Sequence, residues 1–174
     1  MKITIYQGAI KGERFEYFLE KVTELGVDKV YVTPFKRNVV KFKENEKNKK
    51  IGRFKKILES SSKQSRRIDI PKIEILDNML ETVSKLEKED AVFILYEKVI
   101  EDTITIKDML TNIVKNNYTN IALVIGAEGG IDETEIEKFR KLRNIRIVTL
   151  GERILRAETT GPSVLSVLNY ELER

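Results

Sequence analysis

The residues best suited to chemistry lie late in the chain. The stretch Leu150-Gly151-Glu152-Arg153-Ile154-Leu155-Arg156-Ala157-Glu158-Thr159 sets two arginines and two glutamates beside a glycine. Upstream stands Gly126-Ala127-Glu128-Gly129-Gly130, preceded by the apolar residues Val124 and Ile125. Glycines tolerate positive φ and let a ligand approach backbone amides closely. Ile154 and Leu155 add apolar surface, which with free backbone N–H and C=O groups suits an adenine and a ribose. Two arginines and two glutamates are more charge than a plain turn needs. The chain has no histidine and no cysteine. Ser-His and thiolate nucleophiles, His- or Cys-ligated zinc and disulfides are therefore excluded. Catalysis has to come from carboxylates, Lys, Arg, Tyr, backbone groups or a bound cofactor. The first loop is neither a GxGxxG fingerprint nor a P-loop, because the Gly-Lys-Ser/Thr ending is missing. Taken alone it fits a plain strand-to-helix turn nearly as well as a ligand loop. The second loop, with Arg153 and Arg156, is harder to read as a helix start only.

Elements that could hold these loops follow from the hydrophobic pattern. Residues 91–96 and 120–125 are apolar runs, as strands buried on both faces require, and 145–150 is read as a third buried strand. Shorter strands are predicted at 3–6, 29–33 and 71–76, the second ended by Pro34. Helical spacing marks 11–25, with Phe15, Phe18, Leu19, Val22 and Leu25 on one face and Gly26 as a stop. Further helices are predicted at 49–61, from a cap at Asp77 to Leu86, at 106–114, and from the Asp132/Glu135 capping box to Lys141. A last helix is placed near Pro162, a residue that suits a first turn. Strands alternating with helices predict an α/β domain with a mainly parallel sheet over the whole of residues 1–174. Such sheets bind ligands at the carboxyl ends of their strands.

Charge is unevenly spread. The net charge is only +4, yet residues 36–67 carry thirteen Lys or Arg against Glu44, Glu46 and Glu59. That asymmetry suggests contact with a polyanion, a solvated lysine-rich loop being the alternative. Residues 36–50 are too polar for a core and read as a long exposed basic insertion. Glu24, in the last turn of its helix, opposes the helix dipole and predicts a cationic partner, for instance an arginine of the basic segment. No apolar run approaches the roughly 20 residues that span a bilayer, and the N-terminus does not read as a signal peptide.

The two late motifs, taken together, resemble the ribosomal RNA small-subunit methyltransferase E family of the SPOUT superfamily. Glu24-Leu25-Gly26-Val27, Arg37-Asn38-Val39 and Gln64-Ser65-Arg66-Arg67 before Ile70-Pro71 extend the likeness over essentially the whole chain. The resemblance implies an SPOUT fold with a C-terminal trefoil knot across about 120–170 and S-adenosylmethionine as methyl donor. It implies methylation at N3 of a uridine in 16S small-subunit ribosomal RNA (free or in the 30S subunit), a homodimer and a cytoplasmic location, with no metal and no membrane. Implied cofactor residues are Leu95, Glu97, Ile125, Gly126, Glu128, Gly129, Gly130, Leu150, Gly151, Ile154, Leu155, Arg156, Glu158 and Thr159. Lys36, Arg37, Arg53, Gln64, Arg66 and Arg67 become the candidates for RNA contact. Arg156, Glu158 and Glu128 are the catalytic candidates, the arginine for the uridine oxyanion or a phosphate and a glutamate as base or orienting group.

Several positions depart from that family's pattern, which has Pro at Ala127, Ala at Thr160 and Glu at Lys63. Losing the proline loosens the first loop by about 0.4–1 kcal/mol. Family members also carry an N-terminal β-rich PUA-like domain, and this sequence matches the methyltransferase part. A related enzyme acting on tRNA and a non-catalytic RNA-binding or ribosome-assembly module are the competing readings.

Overall fold

The computed structural model describes residues 1–172. Its strands and helices alternate: β1 (Lys2–Gly8), α1 (Glu13–Glu24), β2 (Lys29–Thr33), α2 (Glu44–Gln64), β3 (Lys72–Ile75), α3 (Met79–Leu86), β4 (Ala91–Leu95), β5 (Thr103–Thr105), α4 (Ile106–Asn116), β6 (Asn120–Ile125), α5 (Glu133–Phe139), β7 (Ile145–Thr149) and α6 (Ala157–Glu171). All seven strands join one sheet in the order β3-β2-β1-β6-β4-β7-β5. Each pairing is parallel. β1 registers with β6 from Lys2 opposite Asn120 to Gln7 opposite Ile125, so their carboxyl ends finish level.

Both faces of the sheet are covered, which is why its central strands are apolar throughout. One face packs Ile3, Ile5, Phe93, Ile121 and Leu123 under α1, α2, α4 and α6, through Phe18, Leu58, Met109 and Leu165. The other sets Tyr6, Val92, Ile94 and Val124 against Leu86 of α3 and Ile136 and Phe139 of α5. Burial of the order of 25 cal/mol per Å² of apolar surface makes these two layers the main stabilising contribution.

Element types follow the hydrophobic pattern closely, and the departures have physical causes. β5 is three residues long, too short to show alternation, and exists through its pairing with β7. α2 starts at Glu44 rather than 49, so only residues up to 43 form the predicted loop. Glu44 and Glu46 in its first turn complement the helix dipole, which offsets the lack of apolar residues there. The cap of α3 is Asn78, whose side chain accepts from the Glu81 N–H; Asp77 is one residue too early and binds Lys47 instead. α6 begins five residues before Pro162, which therefore sits inside the helix. Pro162 has no N–H for the Glu158 carbonyl four residues back. Tertiary packing outweighs that loss: a Cβ on Gly161 would lie 2.8 Å from the Phe18 ring, so this turn docks tightly on α1. Glu24 pairs with Lys21 of its own helix at 2.8 Å. The basic segment does reach that helix end, where Arg67 donates to the Thr23 carbonyl at 2.7 Å.

Candidate active site

At the carboxyl ends of β6, β4 and β7 lies a cavity of about 450 Å³. A cavity of this size accommodates a small organic ligand. Three turns make its walls, one from each strand. The first, residues 126–130, is a backbone turn closed by the Gly130 N–H donating to the Ala127 carbonyl at 2.9 Å. It is packed without spare room. A Cβ on Gly126 would lie 2.6 Å from the Gly130 carbonyl carbon, and one on Gly8 would lie 2.4 Å from the Ala127 nitrogen. Below it, buried Gln7 donates from Nε2 to the Gly126 carbonyl at 2.9 Å. Gly130 has φ +70° and faces the Glu97 carboxylate. Glycine is thus required here by contact and by conformation. Ala127, where the resembled family has proline, is buried within the turn.

The second turn carries Leu95, Tyr96 and Glu97, and the third Leu150, Gly151, Arg153, Ile154 and Leu155. Tyr96 is buried with no partner for its hydroxyl. That burial, and next the nearby Glu97 carboxylate, pushes the phenol above its ordinary value. Ile154 is 78% exposed at the cavity mouth. Arg156 is the N-cap of α6; its carbonyl accepts from the Thr159 and Thr160 amides, while its side chain is exposed along the cavity. The Thr160 hydroxyl, absent from the resembled pattern, also donates to the Arg156 carbonyl at 3.1 Å.

The structure gathers nearly all the predicted cofactor residues at this cavity, Leu95, Glu97, Ile125, Gly126, Glu128, Gly129 and Gly130 from the first two turns. From the third come Leu150, Gly151, Ile154, Leu155, Arg156 and Glu158. Thr159 is the exception: it is exposed, and Thr160 lines the wall instead. Thr160 is buried at 7% exposure, with its hydroxyl turned to the Arg156 carbonyl.

One residue outside the sequence candidates organises the charges. Arg14, in the first turn of α1, reaches Glu128 at 2.7 Å and Glu158 at 3.9 Å. The Lys11 amide donates to the same Glu128 oxygen at 3.0 Å. A cation in a first helical turn opposes the dipole, and that misfit right after Gly12 was the available signal. Glu158 is 8% exposed and its Oε2 is buried with no hydrogen-bond partner. A buried carboxylate oxygen left unanswered beside a cavity is costly to keep.

The basic candidates divide into two groups. Lys36 and Arg37 lie beside the first turn, where both pair with Asp132, at 3.8 and 3.3 Å. The Lys36 amide also donates to Glu135 at 2.9 Å. The Thr134 hydroxyl and amide, followed by Lys36 and Arg37, hold the Asp132 carboxyl below its ordinary range. Arg53, midway along α2, pairs with Glu16 at 2.7 Å. Gln64, Arg66 and Arg67 stand at the far end of α2, a helix that rises roughly 30 Å from its start, and at the amino edge of the sheet. Among the described residues no group of three or more His, Cys, Asp or Glu could hold a metal ion, and no helix is long and apolar enough to cross a membrane.

A parallel sheet bearing a backbone-walled cavity at its carboxyl edge defines a class, and residues 1–169 match the RNA methyltransferase domain family, to which the chain belongs. The ribosomal RNA small subunit methyltransferase E of Mesomycoplasma hyopneumoniae is 31% identical over 95% of the chain and 68% of that protein. Its Bacillus subtilis counterpart is 27% identical over 99% and 67%. The chain is a member of this ribosomal RNA small subunit methyltransferase E family. It spans about two thirds of the length of the relatives it matches. The Neisseria gonorrhoeae ribosomal RNA small subunit methyltransferase E, solved bound to S-adenosyl methionine, superposes with a TM-score of 0.82 at 26% identity, covering 98% of this chain and 66% of that one. The A. aeolicus TrmH/SpoU tRNA modifying enzyme shares the fold at 14% identity, with a TM-score of 0.62 over 99% of this chain and 76% of that one.

Proposed function

We propose that this chain, as one domain over residues 1–174, methylates N3 of a uridine in 16S small-subunit ribosomal RNA with S-adenosylmethionine as donor. The observation that carries this reading is the cavity itself, with glycine turns packed backbone to backbone on one side and the orphaned Glu158 oxygen on the other. Those residues fit the donor. Leu95, Ile125, Leu150 and Leu155 offer an apolar slot for adenine, and the backbone of 126–130 and 150–151 offers hydrogen bonds to ribose and carboxylate. When bound, S-adenosylmethionine supplies a methyl group already activated on a sulfonium sulfur. The protein's part is alignment and proton removal. Glu158 accepts the N3 proton through Oε2, Arg156 meets the negative charge that develops on the uridine oxygens, and Arg14 holds Glu158 and Glu128 in place.

Lys36, Arg37 and Arg53, with Gln64, Arg66 and Arg67 at the opposite end of α2, are assigned to the RNA backbone. Phosphate contacts of this kind hold and orient rather than specify. A trefoil knot through about 120–170 belongs to the same reading. Two copies would pair with the cofactor site near their interface, and the enzyme would act in the cytoplasm on rRNA or the 30S subunit.

Isothermal titration of the protein with S-adenosylmethionine, followed by mapping of methylated nucleotides in rRNA from a deletion strain, tests the reading. Saturable binding and one lost uridine methylation are expected. Arg156→Ala should lower kcat by about a hundredfold with cofactor affinity nearly kept; a parent-like rate would remove Arg156 from its role.

A further inference from the structure

A second cavity, of about 310 Å³, opens on the same edge at the ends of β1, β2 and β3. It is the right size for one small planar ligand. Val32, Val40, Phe42 and Ile75 give it apolar walls, and Lys36, Lys41 and Lys47 bring three ammonium groups. Two of these are already engaged: Lys36 with Asp132, and Lys47 with Glu44 at 2.6 Å and with Asp77. Lys41 is exposed and makes no ion pair among the described residues.

Asn38 lines the same cavity and is only 7% exposed. Its Nδ2 donates to the Thr33 carbonyl at 2.8 Å, which fixes the orientation of the amide. Its Oδ1 is buried and has no hydrogen-bond partner. Buried acceptors without donors are uncommon because each lowers stability. The ligand that answers this site must present an N–H to Asn38, apolar faces to Val40 and Phe42, and negative charge to Lys41. A simple anion would leave Asn38 unanswered, and a simple cation would meet the lysines. An unpaired nucleotide meets all three demands through its base edge, its ring faces and its phosphate.

The segment between the cavities joins them physically. The Arg37 Cβ and carbonyl oxygen each lie 2.9 Å from where a Gly129 Cβ would stand, so Arg37 presses on a wall of the first cavity. Its neighbours Lys36 and Asn38 line the second. We propose that the second cavity is a nucleotide subsite, holding an unpaired base of the same RNA strand whose target base enters the first cavity. This rests on the RNA methyltransferase reading above.

The test uses the full chain and short single-stranded RNA oligonucleotides carrying 4-thiouridine. Photocrosslinks are expected within residues 35–42, Phe42 among them. Val40→Phe, which fills the cavity, should weaken RNA binding by roughly tenfold. The slope of affinity against salt should flatten by no more than about 0.7, because only the phosphate contact at Lys41 goes with the displaced nucleotide. S-adenosylmethionine affinity should stay at the parent value. Crosslinks confined to other segments, or a Val40→Phe protein that binds RNA as tightly as the parent, overturn the subsite. If that variant fails to fold, the crosslink map decides alone. A parent protein that does not bind S-adenosylmethionine refutes the methyltransferase reading instead, whatever the map shows.

Discussion

The carboxyl edge of this sheet has two halves built on opposite principles. Around β6, β4 and β7 the site is made of backbone pressed on backbone: Gly126 against Gly130, Gly8 against Ala127, and buried Gln7 bonded to the Gly126 carbonyl. Around β1, β2 and β3 a small apolar pocket is rimmed by long charged side chains, several held in ion pairs with Asp132, Glu44 and Asp77. The first half has no slack, because contacts below 3 Å to backbone cannot relax by a rotamer change. The second half is adjustable, since exposed ion pairs contribute at most about 1 kcal/mol each and weaken with salt. A pocket that must recognise one cofactor and a surface that must follow a flexible polyanion have different tolerances. The two halves should therefore respond to substitution by very different amounts.

The largest effect is expected at Gly126. An added methyl meets the Gly130 carbonyl carbon at 2.6 Å, so Gly126→Ala must displace the turn that forms the cavity wall. A shift near 1 Å in a positioned site costs about a hundredfold. Titration with S-adenosylmethionine should show that loss, with circular dichroism reporting a folded protein. Affinity within threefold of the parent would mean that the wall yields, and the contrast between the two halves would collapse.

Arg14 comes next, as the one long side chain that the rigid half depends on. Arg14→Ala leaves Glu128 and Glu158 without their cation, so turnover should fall by roughly tenfold with KM for RNA little changed. Arg14→Lys keeps the charge but loses the fork that spans both carboxylates, and should recover only part of the rate. Steady-state kinetics on the three proteins would check this; equal kcat values would make Arg14 a surface residue with no hold on the acids.

How legible the molecule was in its sequence divides along the same line. Buried strands such as β4 and β6 declared themselves because both their faces are covered and every residue is apolar. The capping box at Asp132 and Glu135 was readable because it is closed by residues three apart. Glycines 126, 129 and 130 announced a tight loop for the same local reason. What stayed hidden depends on distant partners. β5 exists by pairing with β7, α6 starts early because Gly161 docks on Phe18, and Arg14 meets Glu128 and Glu158 across the fold. The orphaned oxygens of Glu158 and Asn38 have no sequence signature, since being unpartnered is a property of the packed structure. The basic segment was visible as a charge count, but a count could not say that α2 carries its two ends to opposite edges of the sheet.

That division of the basic segment sets the smallest predicted effect and the sharpest use of it. Removing one exposed cation lowers RNA affinity only a few-fold, but each lost phosphate contact flattens the logarithmic salt dependence by roughly 0.7 for a single strand. Lys36→Ala at the carboxyl edge and Arg66→Ala at the amino edge should each flatten the slope by that amount, in RNA-binding titrations over a range of salt. Arg66 suits such a contact because it is exposed at the end of α2, with a left-handed φ of 58° that turns the chain sharply there. A normal slope for Arg66→Ala alongside a flattened one for Lys36→Ala would confine the RNA to the carboxyl edge. The adjustable half of the site would then be the short stretch beside the two cavities, and the distal arginine would have no part in RNA binding.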